Sequence, residues 1–248
     1  TEKLLAGHTD IVVGALELTD GKILSWSDDI SGDNTLRLWS EDGEVITTLE
    51  GHNDSVVGAL ELTDGRILSW SDDYTLCLWD TNGNLLATLA GHTDEINGAL
   101  ELNDGRILSW GKADNLRIWD SDGNPLATLA EHNIWRNIDG AIELRDGRIL
   151  SWSEGVGISS DGTLHLWDAN GNLLTMLTGH TNGINGAMEL TDGRLLSWSR
   201  DDTLRIWDAN GNLLTILVGH FFDVSGALEL RNGKILSWGD DANLRLWD

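Results

Sequence analysis

One pattern of about forty residues recurs six times along this 248-residue chain. Each copy opens on a histidine and closes on a tryptophan, followed by Asp in every copy but the first, which reads Trp39-Ser40. The histidines are His8, His52, His92, His132, His180 and His220, spaced 44, 40, 40, 48 and 40 residues apart. A unit this short cannot bury its apolar face alone, so the fold must stack one copy on the next. Repetition also argues against a unique catalytic site, because every polar constellation occurs several times. The specific information therefore lies where the copies differ.

Helical periodicity is absent, and 29 glycines break the chain into short apolar runs. In the second copy, residues 58–62 and 66–71 flank Asp64-Gly65. Asp-Gly between two such runs predicts a two-residue hairpin, since a type I′ turn needs positive φ at both central positions. A second hairpin joins residues 75–79 to 84–89 through Asn82-Gly83. Each copy thus supplies four antiparallel strands, here a to d. Short strands at even spacing with a forty-residue period select an all-β fold, a β-propeller of six four-stranded blades. The repeats start near Gly7, Gly51, Gly91, Glu131, Gly179 and Gly219 and form one domain over residues 1–248. The last copy stops at Trp247-Asp248, at the end of strand c, while residues 1–6 align with an ordinary strand d. The sequence therefore predicts that the N-terminal strand pairs into the last blade, closing a monomeric ring and hiding two sheet edges.

A two-residue loop at Asp64-Gly65 sets Ala59 opposite Trp70 and leaves Arg66 diagonal to Glu61 on one sheet face. The tryptophans Trp26, Trp70, Trp110, Trp152, Trp198 and Trp238 then form a ring packing blade on blade. Glu17, Glu61, Glu101, Glu143, Glu189 and Glu229 pair across their own hairpins with Lys or Arg rather than holding a channel cation. His165, where other copies carry Arg or Cys, reads as a surface variant.

The Gly-His, the strand b Ser, the Asp before strand c and the Trp-Asp together resemble the WD-repeat β-propeller family, over the whole chain. That resemblance implies a hydrogen-bonded structural tetrad in each blade. Its members would be His8, Ser25, Asp33 and Trp39 in the first blade and His52, Ser69, Asp73 and Trp79 in the second. The third offers His92, Ser109 and Trp119, with Ala113 in place of the Asp and Asp114 one position late. The fourth offers His132, Ser151, Asp161 and Trp167, and the fifth His180, Ser197, Asp201 and Trp207. His220, Ser237, Asp241 and Trp247 serve the sixth. The chain departs from the family in its strand b tryptophans, where a small residue is usual, and in having six blades rather than seven. Its copies are also unusually alike, the second and fifth matching at 25 of 40 positions, which suggests recent amplification or an engineered repeat.

Ser, His and Asp invite a hydrolase reading, but five blades carry the trio and no G-x-S-x-G elbow is present. Neither a catalytic site, a metal site nor a cofactor is expected. The 16 basic and 41 acidic residues, a formal −25, oppose binding to nucleic acid or to anionic membrane and favour a basic protein or peptide partner. A single Cys77 and the lack of a secretory leader point to a cytoplasmic location.

The copies differ in length only in b-to-c and d-to-a connections: around residues 29–32, 133–139 and 153–160. In an antiparallel blade both kinds of connection emerge at one end. Insertions confined to one face mark a binding face. Candidate contacts there are Ile30, Ile134, Trp135, Arg136, Val156, Ile158, Phe221 and Phe222. Trp135 is the thirteenth tryptophan, outside both sixfold rings. The expected function is a non-enzymatic protein- or peptide-interaction scaffold using this face. The rivals are a symmetric or engineered propeller without a natural ligand, and a glycan or small-molecule binder on the same face.

Overall fold

The computed structural model describes residues 2–28, 32–112, 115–130, 137–153 and 162–248. Its residues cluster into two compact units, Thr1–Thr128 and Leu129–Asp248. All regular structure among them is β: six antiparallel sheets, each with strands ordered a-b-c-d, except the last, which has three strands. In the second sheet these strands are Val56–Glu61, Ile67–Ser71, Thr75–Trp79 and Leu85–Ala90. The last sheet comprises Val224–Glu229, Ile235–Gly239 and Leu244–Trp247. Residues 2–11 are assigned no strand, and closure of the ring by the N-terminal strand is not shown.

The a–b turn differs from the two-residue loop that Asp-Gly predicts. Leu62 donates its N–H to the Arg66 carbonyl at 2.8 Å, and Gly65 donates to the Leu62 carbonyl at 2.9 Å. Thr63, Asp64 and Gly65 therefore make a three-residue loop, closed by Gly65 in the left-handed region at φ +86°. Asp64 fixes it by accepting the Arg66 N–H at 3.0 Å. One additional loop residue shifts the register by one, and such a shift moves side chains to the other face. Trp70 now lies opposite Gly58, and Ala59 opposite Ser69. The indole covers Gly58 so closely that a Cβ there would sit 2.3 Å from Trp70 Cζ2.

The same shift undoes the expected Glu–Arg pairs. Arg66 stands opposite Leu62, whereas Glu61 stands opposite Ile67 on the other face. Arg66 instead binds Asp64 of its own turn at 2.7 Å and reaches the Ser121 carbonyl of the third blade at 2.8 Å. Glu61 accepts the Thr19 N–H and hydroxyl of the first blade at 2.8 and 2.7 Å. Glu101 receives the same two bonds from Thr63, and Glu229 from Thr191. These glutamates thus latch one blade to the blade before it.

Each blade has two chemically distinct faces. In the second unit, Leu190, Leu196, Leu204 and Ile206 of the fifth blade pack, with Trp198, on Val224, Ala227 and Ile235 of the sixth. The first unit repeats this: Leu24, Trp26, Leu36 and Leu38 meet Val56, Ala59 and Ile67. Trp26, Trp70, Trp152 and Trp198 of strand b pack blade on blade, as the sequence suggests, whereas Trp238 is exposed. A trailing face rich in Leu and Trp thus meets a leading face of Val, Ala and Ile.

Candidate functional site

The polar constellation that recurs from blade to blade is built first from donors and acceptors. Trp79 Nε1 can only donate, and it gives its proton to Ser69 Oγ at 2.9 Å. Ser69 turns its own hydrogen to His52 Nε2 at 2.8 Å. His52 then carries its proton on Nδ1, facing Asp73 Oδ2 at 3.2 Å. Asp73 also accepts the Asn53 N–H at 2.8 Å and the Thr75 hydroxyl at 2.6 Å. Every polar atom along this chain of four residues has a partner.

His8, Ser25, Asp33 and Trp39 repeat the geometry, with 3.1 Å from His8 Nδ1 to Asp33 and 2.8 Å for the other two bonds. So do His180, Ser197, Asp201 and Trp207, and His220, Ser237, Asp241 and Trp247. In the third blade His92 and Trp119 both meet Ser109, at 2.7 and 2.9 Å. In the fourth, Trp167 donates to Ser151 at 2.8 Å. Ala113, Asp114, His132 and Asp161 lie outside the described residues.

Burial sets the protonation states. It pushes the imidazoles of His8 and His180 below the ordinary histidine value, against the opposing pull of their aspartates. Burial alone would raise the Asp33 carboxyl, but hydrogen bonds from Thr35, the Thr9 N–H and His8 outweigh it and hold it at about 2. Asp73 and Asp201 are held well below the carboxylate range by the same balance. Ser69, Ser109, Ser151, Ser197 and Ser237 are fully buried. Each accepts an indole proton, so none presents an oxygen to a substrate. The trios are structural clamps rather than nucleophile sets.

His165 corrects the expectation of a surface variant. It is buried and stacks on Trp167 with ring centroids 5.7 Å apart. Its strand c position points into the blade, as the buried Cys77 and Arg205 do at equivalent sites. Burial raises the Cys77 thiol to about 12, which removes it from nucleophilic chemistry. Among the described residues no group of three or more His, Cys, Asp or Glu could hold a metal ion.

The b–c and d–a connections do share one end of the blade. Asp72 N–H donates to the Ser55 carbonyl, and Ser71 Oγ to the Asp54 carbonyl, both at 3.1 Å. Of the candidate contacts on this face, Ile30, Ile134, Trp135, Arg136, Val156 and Ile158 lie outside the described residues. Phe221 and Phe222 are described, and they are 74% and 62% exposed. The Arg245 guanidinium sits over the Phe221 ring at 5.6 Å. Asp223 follows them in the chain, and its carbonyl accepts the Asp240 N–H at 2.9 Å. Asp202 is pushed up by burial and by the neighbouring Asp223 and Asp201 carboxylates.

Position 222 departs from its counterparts. Asp10, Asp54, Asp94 and Asn182 each use a side-chain oxygen to accept the next backbone N–H, at 2.8 to 2.9 Å. Phe222 surrenders that bond and exposes an aromatic ring instead. The adjoining N–H of Phe221 reaches Asp241 at 3.4 Å, against 2.8 Å from Asn53 to Asp73. Aligning the copies reveals this exchange in the sequence, but only the geometry shows what it forfeits.

A family model described as WD domain, G-beta repeat, matches residues 43–80 and 171–208. A computationally designed protein, Ika8, superposes at TM-score 0.77 with 22% identity, over 97% of this chain and 72% of that one. The WD40 β-propeller domain of Doa1 superposes at TM-score 0.60 with 22% identity, over 98% and 94% of the two chains. No curated protein matches the chain by sequence.

Proposed function

From WD repeats carried on a β-propeller fold, we infer a non-enzymatic module that binds a protein or peptide through the face bearing its Gly-His turns. The observation that carries this reading is Phe222, which gives up a backbone-capping bond kept by four described counterparts and exposes a ring beside Phe221. An exposed aromatic pair at the expense of a local bond is better suited to a partner than to the fold. The surrounding aspartates favour a ligand presenting one apolar side chain among Lys or Arg, and would quicken its association at low salt. Trp135 and Arg136 join the site on sequence alone, as an aromatic and arginine pair in an enlarged loop of the same kind.

The test is selection of peptides from a random display library on the immobilised chain. Basic peptides with an aromatic or aliphatic anchor are expected. Replacing Phe221 and Phe222 together with Ala should weaken them at least tenfold without lowering the melting temperature. Enriched peptides indifferent to that change would move the site elsewhere. A failure to enrich any peptide would favour the rival, a propeller shaped by amplification or design without a ligand, for which the near-identity of the copies speaks.

A further inference from the structure

The single tyrosine of the chain, Tyr74, stands in the b–c turn of the second blade at φ +68°, in the left-handed region. Gly, Asn and Asp tolerate that region, whereas a bulky side chain is strained there. The same turn of the fifth blade uses Asp202 at φ +65°, and the aligned residues of the first and fourth are Asn34 and Gly162. The Tyr74 ring does not repay the strain by packing in the core, since it is 44% exposed. A strained turn that carries an exposed aromatic ring points to use rather than to packing.

Two counterparts place this turn against the Gly-His turn of the next blade. A Cβ on Gly162 would lie 2.6 Å from the Cβ of His180. Asp202 is raised by burial and then by Asp223, three residues after His220. For Tyr74 the matching neighbours are His92 and Glu95 of the third blade. The charges at these two seams are exchanged. Between the fifth and sixth blades the protein supplies its own cation: Arg200 Nε lies 3.2 Å from Asn185 Oδ1 and 3.8 Å from Asp223 Oδ2. Between the second and third, Asp72 takes the place of Arg200, Glu95 that of Asp223 and Tyr74 that of Asp202. The Asp72 carboxyl is raised by burial and then by Glu95, against the pull of Lys112. Lys112 is bonded to Glu95 and also feels Asp72 and Asp94, while Asp54 acts on Asp72. This seam is therefore short of positive charge where its counterpart holds a guanidinium.

We propose that Tyr74, Asp72 and Glu95 seat one arginine side chain of a protein or peptide partner, its guanidinium over the ring and beside the two carboxylates. The inference rests on the reading that the Gly-His face binds such a partner, and it names the residue that the partner brings. Arginine fits best because a planar guanidinium stacks on an aromatic face and still offers its N–H edge to carboxylates. It would stand where Arg200 stands in the fifth blade.

Because the chain has one tyrosine, fluorotyrosine labelling gives one fluorine resonance that reports on this position alone. Titration with acetyl-Gly-Arg-Gly-amide should move it along a saturating curve, the Lys analogue more weakly, and the Leu and Glu analogues not at all. Asp72→Asn with Glu95→Gln keeps the probe and should weaken the arginine peptide about fivefold, as the loss of two exposed ion pairs implies. Should the double variant lose the wild-type circular dichroism, Asp72→Asn alone carries the same comparison. A resonance that the arginine peptide never saturates overturns the proposal. So does one that follows the Leu peptide equally, or a natively folded variant that binds like the wild type. Library-selected peptides that bind the face and leave the resonance unmoved overturn the seat and spare the reading. A resonance that saturates with arginine, on a chain that enriches no library peptide, supports the seat and counts against the reading.

Discussion

The second and sixth blades share one pattern and one tetrad, yet they sit in different surroundings. From His to Ser and from Trp to Ser, the distances agree within 0.1 Å in the two blades. Their strand c leucines do not agree: Leu76 and Leu78 are buried, Leu244 and Leu246 exposed. The polar clamp is thus a property of the single blade, whereas apolar burial belongs to the junction. Stability in such an array divides into a term within each repeat and a term between neighbours.

The largest effect should come from the junction term. Leu76→Ala removes a fully buried side chain and should cost about 2–5 kcal/mol. Leu244→Ala, at the equivalent position, should cost less than about 1 kcal/mol in dilute solution, as an exposed substitution does. Denaturant unfolding of the two variants measures the contrast. Equal losses would mean that the trailing face of the sixth blade is covered after all.

The term within each blade should behave in the opposite way. His52→Ala and His220→Ala each leave a buried Ser and Asp short of a partner, at about 1–3 kcal/mol for such a loss. The two costs should match, because the clamps match. Acid adds a second readout. Asp73 and Asp241 both lie below the ordinary carboxylate value, burial being outweighed by bonds that include His52 and His220 respectively. A depressed folded value contributes stability above the unfolded Asp value and loses it as pH falls towards the folded one. Below about pH 4 the melting temperature should therefore drop, and Asp73→Asn or Asp241→Asn should flatten that drop by similar amounts. A large inequality would show that the clamp depends on its neighbours.

The same division explains what could be read from the sequence. The blade pattern, its four strands and the spacing of His, Ser, Asp and Trp are local, and the periodicity displays them. Register is not so forgiving. Asp64-Gly65 signals a turn without saying whether Thr63 belongs to it, and that one residue decides which face receives Arg66 and which Glu61. Hence the glutamates were expected to pair within a hairpin, when they latch successive blades. For His165 the pattern gives the strand position but not the depth of packing beside Trp167.

The smallest effect sharpens the comparison where function is concerned. In the second blade Asp54 accepts the Ser55 N–H at 2.8 Å; in the sixth Phe222 leaves the corresponding N–H of Asp223 without that acceptor. Phe222→Asp should restore the bond and raise stability by about 0.5–1 kcal/mol, the net worth of a hydrogen bond at a partly solvated turn. Asp54→Phe in the second blade should lower it by a similar amount. The gain at 222 should come with a loss of affinity for any peptide selected on this face, since the ring is gone. Thermal melts beside a binding titration test both halves at once. If Phe222→Asp loses stability and keeps affinity, the ring is packing its own loop, and the sixth blade differs from the second by accident of sequence rather than by use.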